Sequence, residues 1–221
     1  MVYLDPAPAE ADIALMYDDT YSGATQSYFT KADKKMRRSR IRVRRMARML
    51  AGGAAGKSFL DVGANGGFMV EAAREAGFGA MGVEPDGPAL DYARRHFPEN
   101  GYIHGTVEEA DFGGRRFDAV YCSEVIEHAA DCHRFVAAIA RVMRPQGLLY
   151  LTTPDISHWR VPRDLSRWDA FCPPAHCLFF SPGNLTRLLG RHGFKVERRL
   201  IAIKPGIKIL ARRLPEPAAG G

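Results

Sequence analysis

The chain has 221 residues, a formal net charge of +6, and 46% hydrophobic and 25% charged residues, the composition of an ordinary globular domain, which excludes the disordered and fibrous classes. Its four cysteines are too few for a disulfide scaffold, no basic leader followed by an apolar stretch opens it, and no apolar run approaches the roughly 20 residues of a membrane span. A reducing cytoplasm is the expected compartment.

Residues 1–30, rich in Pro, Ala, Asp and Tyr, read as a partly ordered arm carrying Tyr17, Tyr21 and Tyr28. The stretch 31–50 has no Gly or Pro, and Met36, Ile41, Val43, Met46, Met49 and Leu50 recur near helical spacing, which predicts one basic amphipathic helix. Between Lys31 and Arg48 it holds ten basic residues against Asp33 alone, so the remainder of the chain is net acidic. That cationic face is either a solvated surface over a packed stripe or a contact for an anionic acceptor, RNA or a membrane surface.

After the connector 52–56, short apolar runs alternate with helix-length segments, the pattern of parallel strands joined by crossover helices. Strands are expected at Ser58–Val62, Ala80–Glu84, Tyr102–His104, Phe117–Cys122 and Leu148–Thr153, with each segment between them able to form a helix. Asp131 is placed to cap the helix through Phe135, Ile139 and Met143, and Pro145-Gln146-Gly147 to turn it into the fifth strand. Residues 154–180, with Trp159, Trp168 and Phe171, break the alternation and read as a lid. Ser181-Pro182 opens a last helix that buries Leu185, Leu188 and Leu189. Phe194–Ile203 and Ile207–Leu210 then form a closing hairpin through Lys204-Pro205-Gly206. The fold class is α/β: a doubly wound, mostly parallel seven-stranded sheet with a helical N-terminal cap and a small lid insertion.

The segment from Phe59 to Phe68 is an apolar strand feeding a Gly-rich turn and a helix, which brings backbone N–H groups close to a ligand. A dinucleotide site would show G-x-G-x-x-G; here Gly63 is followed by Asn65, Gly66 and Gly67, and Asp61 sits at the strand end. A carboxylate about 4 Å from a diphosphate would cost on the order of 1–4 kcal/mol, whereas beside an ammonium or sulfonium it is favourable. That argues against a nicotinamide-dependent oxidoreductase. Glu84 ends the second strand, where a carboxylate grips the two hydroxyls of an unphosphorylated ribose.

These residues resemble the class I S-adenosylmethionine (SAM) dependent methyltransferases, whose glycine motif D/E-x-G-x-G-x-G reads here Asp61-Val62-Gly63-Ala64-Asn65-Gly66-Gly67, with Asn65 in place of the middle glycine. Phe117 to Ser123 is similar to the family's fourth strand, Glu124-Val125-Ile126-Glu127-His128 to the segment after it, and Val142 to Leu148 to its turn into the fifth strand. His176 to Ser181 and Leu188 to Phe194 resemble the ending of the methyltransferase 11/23-like group, close to ubiquinone-type small-molecule O-methyltransferases. The resemblance implies a Rossmann-like methyltransferase fold over 56–214, with the arm and cap helix at 1–55, the lid at 154–180 and a frayed tail at 215–221. It implies SAM as cofactor, held by Asp61, Gly63, Ala64, Asn65, Gly67 and Phe68 on the methionine side and by Glu84 and Pro85 at the ribose. Val107 and Glu108 would meet the adenine, and Ser123 the region of the transferred methyl.

Methyl transfer is an in-line displacement in which positioning contributes most, and a hydroxyl acceptor also needs a base. His128 and His176 are the candidate bases, with Glu124 able to pair with His128 four residues on along a helical face. Cys172, His176, Cys177 and His158 lack the paired spacing of a structural zinc site, so no metal is expected. The tyrosines of the arm and the aromatics of the lid are either packing or a cover over an apolar acceptor. The reading is a SAM-dependent enzyme methylating an oxygen of a small or lipid-like molecule; the alternatives are an RNA or other anionic substrate met by the basic helix, and a non-catalytic SAM-binding module.

Overall fold

The computed structural model describes residues 2–3 and 31–215. The expected arm tyrosines and the tail at 216–221 lie outside the described residues. In chain order the elements are β1 (Val2–Tyr3), α1 (Ala32–Ala47), β2 (Ser58–Val62), α2 (Phe68–Glu75), β3 (Gly79–Glu84), α3 (Gly87–His96), β4 (Gly101–His104) and β5 (Phe117–Ser123). There follow α4 (Cys132–Val142), β6 (Met143–Thr153), β7 (Leu178–Phe179), α5 (Pro182–Arg191), β8 (Phe194–Arg199) and β9 (Ile207–Arg213). Seven strands form one sheet in the order β4-β3-β2-β5-β6-β9-β8; β4, β3, β2, β5 and β6 run parallel, and β9 is antiparallel to both its neighbours.

Burial on both faces explains the near-continuous apolar strands. On one face Leu60, Val62, Val120, Cys122, Leu149 and Leu151 pack with α4 and α5. On the other, the alternate residues Phe59, Ala119, Tyr121, Leu148 and Tyr150 pack with α1 and α2 through Val43, Met46, Met69 and Ala72. The basic helix is therefore part of this second core layer, with Val43 and Met46 fully buried and Ile41 left exposed. Local signals behave as read: the Asp131 carboxylate accepts from the N–H groups of His133 and Arg134 at 2.7 and 3.2 Å, and the Ser181 hydroxyl caps α5 with Pro182 at its first position.

Four expectations need correction. The helix capped by Asp131 ends at Val142 and β6 already begins at Met143, running through Pro145-Gln146-Gly147 with Gln146 at φ 64°, so the expected turn lies inside the strand. No helix joins β4 to β5: residues 105–116 run as turns, in keeping with Gly105, Gly113 and Gly114 all at positive φ. The strand expected to reach Ile203 ends at Arg199 after an irregularity between Val196 and Arg198, and a wide loop carries the chain to Ile207. Glu124 and His128 do not share an α-helical face; Glu124 has φ 58°, and a 3-10 turn spans Ile126–His128. Among the described residues no helix is long and apolar enough to cross a membrane.

Met46 joins α1 to the sheet with no exposed surface, so Met46→Ala should lower unfolding free energy by about 2–5 kcal/mol in urea titrations, whereas Arg37→Ala on the exposed face of α1 should change it by less than about 0.5 kcal/mol.

Candidate functional site

At the carboxyl ends of β2, β3 and β5 opens a cavity of about 1030 Å³, the place where an open parallel sheet holds its ligand. In-register pairing of Val62 with Val83 and with Cys122 sets the three strand ends side by side. The turn after β2 starts with Gly63 at φ 73°, where a Cβ would come to 2.5 Å from Val125 Cγ2, so only glycine fits there. Asn65 takes the left-handed conformation at φ 45° and caps its own turn, its Oδ1 accepting from the N–H of Gly66 at 2.7 Å. Gly63, Ala64, Asn65 and Phe68 line the cavity; Gly67 does not, and its missing Cβ instead makes room for the Tyr102 hydroxyl.

Two buried carboxyls stand at the floor. Glu84 Oε2 accepts from the N–H of Asn65 at 2.7 Å and Oε1 from that of Asp86 at 2.9 Å, which ties the glycine turn to the end of β3. Burial raises the Glu84 pKa while those two N–H groups oppose it. Asp61 is held well above the usual carboxylate range by burial and by Glu84, with Arg42 pulling the other way. Pro85, Val107 and Glu108 complete this side of the cavity, and burial pushes the Glu108 carboxyl up. Lys35, Arg38 and Arg42 of α1 line the rim above Asp61 at positions three and four apart. The Arg42 guanidinium donates to the Tyr121 hydroxyl at 2.8 Å.

The other wall is the turn 123–128. Thr152 Oγ1 donates to Glu124 Oε1 at 2.7 Å and lies 2.7 Å from Ser123 Oγ; the single Thr152 proton is thereby used, so Ser123 donates to Thr152. His128 Nδ1 donates to the Ala175 carbonyl at 2.7 Å, and His176 Nδ1 to that of Ala170 at 2.7 Å. Both rings therefore carry their lone pair on Nε2, and they stand edge to face with centroids 4.6 Å apart. Burial, then His176, lowers the His128 pKa to about 4, so it is neutral at physiological pH. His176 lies beside the cavity without lining it.

Beside these rings sits Glu127, fully buried, whose Oε2 accepts from Thr153 Oγ1 at 2.9 Å and whose carboxyl also lies within hydrogen-bond reach of the Glu124 carboxyl; beyond that contact Oε1 has no partner among the described residues. Burial and Glu124 push its pKa well above the usual range. Ligand atoms of Glu127, His128 and His176 all lie within 4.8 Å of one another. Glu127 carries no role in the sequence pattern, and of the residues considered there as metal ligands, Cys172, His176, Cys177 and His158, only His176 belongs to this cluster. The usable signal was a carboxylate directly before His128 and three residues after Glu124. Of the lid aromatics, Trp168 and Phe171 pack on Phe179, Trp159 stands exposed, and none lines the cavity.

A family model described as a methyltransferase domain matches residues 32–199. The ubiquinone biosynthesis O-methyltransferase of Azorhizobium caulinodans is 32% identical over 139 residues, 54% of each chain, and that of Aromatoleum aromaticum 39% identical over 107 residues, 46% of this chain and 45% of the relative. The chain thus spans about half the length of these curated relatives. Among solved structures, magnesium protoporphyrin IX methyltransferase of Synechocystis superposes with TM-score 0.71 at 15% identity, covering 93% of this chain and all of the other. A SAM-dependent methyltransferase of Mesorhizobium loti gives 0.63 at 18%, covering 76% and 96%. At these identities the two structures speak to the fold.

The folded His128 titrates near 4 against 6.5 for an ordinary imidazole, so between those values protons bind the unfolded chain preferentially and stability falls as pH drops from 6.5 to 4. The contribution is on the order of 3 kcal/mol; the thermal midpoint of His128→Gln should fall less steeply across that window than that of the native chain.

Proposed function

The chain belongs to the methyltransferase-domain family, and from that premise we propose that it transfers the methyl group of SAM to a hydroxyl oxygen of a small-molecule acceptor. The observation that carries this reading is the pair Asp61 and Glu84. Two buried carboxyls at adjacent strand ends, each titrating above its ordinary range because burial disfavours its charge, gain from a ligand bearing a cation beside Asp61 and hydroxyl donors beside Glu84. The cofactor has both, an ammonium and a ribose diol, and Gly63 lets the turn pack against Val125 where any side chain would clash. When bound, SAM supplies an electrophilic methyl on a sulfonium leaving group.

The chain's own residues supply positioning. Asp61, Asn65 and Glu84 fix one end of the cavity, while Ser123, held by Thr152, and Glu124 border the other. Arg42, which acts electrostatically on Asp61 and lines the cavity, is a cation available to the carboxylate of the methionine moiety. The acceptor hydroxyl would lie toward Glu124 and His128, whose Nε2 takes its proton while Nδ1 stays bonded to Ala175. The ubiquinone-type names of the relatives favour a phenolic or catecholic acceptor. Four free cysteines, Cys172 exposed among them, suit a reducing cytoplasm.

A second reading of the same wall is favoured by Glu127, whose Oε1 has no partner but the Glu124 carboxyl among the described residues. An imidazole titrating near 4 is a poor general base at neutral pH, yet neutral rings whose Nδ1 atoms donate to backbone carbonyls are held as metal ligands are. The donor set of Glu127, His128 and His176 fits a divalent first-row ion, which would lower the pKa of a hydroxyl bound to it. The metal would then let a weak base suffice.

Calorimetric titration with S-adenosylhomocysteine should show binding that weakens by about 10–100-fold in Asp61→Asn and in Glu84→Gln, the range for losing a charge-assisted hydrogen bond, and NADH should give none; NADH preference would sink the reading. Titration of Mn(II), followed by its paramagnetic resonance signal, should show one site lost in Glu127→Gln and His176→Ala. Unchanged Mn(II) binding in both variants would remove the metal and leave His128 as base.

A further inference from the structure

The three most exposed large apolar side chains of the described residues lie on the lid and on the loop between β8 and β9. Trp159 is 79% exposed, Ile201 94% and Ile203 74%. Trp159 and Ile203 belong to segments far apart in sequence, and Arg160 joins them: its Nη1 donates to the Ile203 carbonyl at 3.3 Å, and its guanidinium carbon lies 4.7 Å from the centre of the Trp159 ring. Residues 157–169 and 198–208, the two stretches that form this rim, carry seven basic residues against Asp164 and Asp169. Arg160, Arg163, Arg199 and Lys204 are exposed.

The patch also has a fixed relation to the candidate site. Thr153, last residue of β6, pairs with Ile207, first of β9, so the loop 200–206 projects from the same carboxyl edge of the sheet as the turn 123–128. Thr153 donates to Glu127, which leaves one residue between the buried cluster and the strand pair that carries the patch.

We propose that this rim is a docking surface for an anionic lipid bilayer. An indole beside two branched aliphatic side chains, fringed by arginine and lysine, matches the headgroup region, where amphipathic rings sit at the interface and cations meet lipid phosphates. A protein partner is less suited: three such side chains present on the order of 500 Å² at most, short of the roughly 800 Å² that each side of a stable interface contributes. Docking there turns the edge bearing Glu124 and His128 toward the bilayer, which gives an apolar acceptor a route to the site without crossing water. That benefit rests on the proposed methyl transfer; the lipid contact itself does not.

The test is co-sedimentation of the full chain with vesicles of phosphatidylcholine alone or mixed with phosphatidylglycerol. The expected result is binding to the mixed vesicles only, weakened as ionic strength rises from about 0.1 M to about 1 M, where the screening length shrinks from about 10 to about 3 Å. The variant Trp159→Ser/Ile201→Ser/Ile203→Ser should bind at least about tenfold more weakly with an unchanged thermal midpoint. In a Trp168→Phe background the remaining indole fluorescence should shift to the blue on vesicle addition. Equal binding by the triple variant overturns the proposal, as does binding abolished by Arg44→Glu/Arg45→Glu on α1 with the patch intact. Patch-dependent self-association in light scattering without vesicle binding overturns it in favour of a second copy. Because S-adenosylhomocysteine affinity is read on the same samples, loss of the methyltransferase reading and loss of the lipid contact are separate results.

Discussion

Two consecutive threonines hold the reacting wall together. A strand sends successive side chains to opposite faces, so Thr152 and Thr153 reach two different carboxylates of the turn leaving β5: Glu124 at 2.7 Å and Glu127 at 2.9 Å. The turn can present both because Glu124 adopts φ 58° and its N–H donates to the Thr152 carbonyl at 3.0 Å. A left-handed glutamate costs of order 1 kcal/mol or more and persists only where the surroundings over-determine it. Here the register of β5 with β6, Ser123 opposite Thr152, does so. A one-residue slip would exchange the faces of the two threonines and unmake both bonds at once.

The same wall and the cavity floor share an electrostatic theme. Asp61, Glu84 and Glu127 are buried, and burial leads the causes that push each above its ordinary range. Their compensation differs. Glu84 has two backbone N–H donors, Asp61 has only Arg42 within electrostatic reach, and Glu127 has the Thr153 hydroxyl and the neighbouring Glu124 carboxyl. Glu84 is thus held before any ligand arrives, whereas Asp61 and the cluster around Glu127 are the places where an added cation would gain most. A site arranged this way offers fixed groups to positive charge at two points of the same cavity wall and floor, which suits stabilisation without rearrangement.

Most of the frame was legible because it follows from period and punctuation. Apolar runs bounded by glycine marked five parallel strands, four of them to within a residue or so at their ends and the fifth, β6, five residues short at its start, and Asp131 and Ser181 marked helix starts by the side chains that cap them. The glycine turn, Asp61 and Glu84 were legible because each sits at a strand end, where the architecture alone decides what it faces. The wall at 123–128 was not. Helical spacing suggested that Glu124 and His128 pair, but spacing says nothing of a positive φ at a glutamate, which depends on Thr152 some 28 residues on. Glu127 was hidden for a related reason: its partners His176 and Thr153 come from the lid and from β6, and only the folded chain brings them together. Residues 200–203 read as strand because Ile201 and Ile203 alternate like a buried face, although nothing covers that face among the described residues.

The lid has a part in the chemistry that its lack of cavity-lining residues conceals. The tautomers of His128 and His176 are set by two of its carbonyls, Ala175 and Ala170. The lid in turn is pinned to the wall by the Cys177 N–H, which donates to the Glu127 carbonyl at 2.8 Å, and to the core by Phe179 and Phe180. Whether His128 serves as a base or as a ligand, it must present the Nε2 lone pair, and that requires a proton on Nδ1 with an acceptor to hold it. Displacing the lid removes both acceptors together. A neutral imidazole without its carbonyl would be free to rotate and to exchange tautomers, and better hydrated it would titrate nearer 6.5, so that a fraction would carry a proton where the lone pair is needed. The position of the lid therefore couples to the protonation state of the wall, and the arrangement seen holds the one form of His128 that either reading can use.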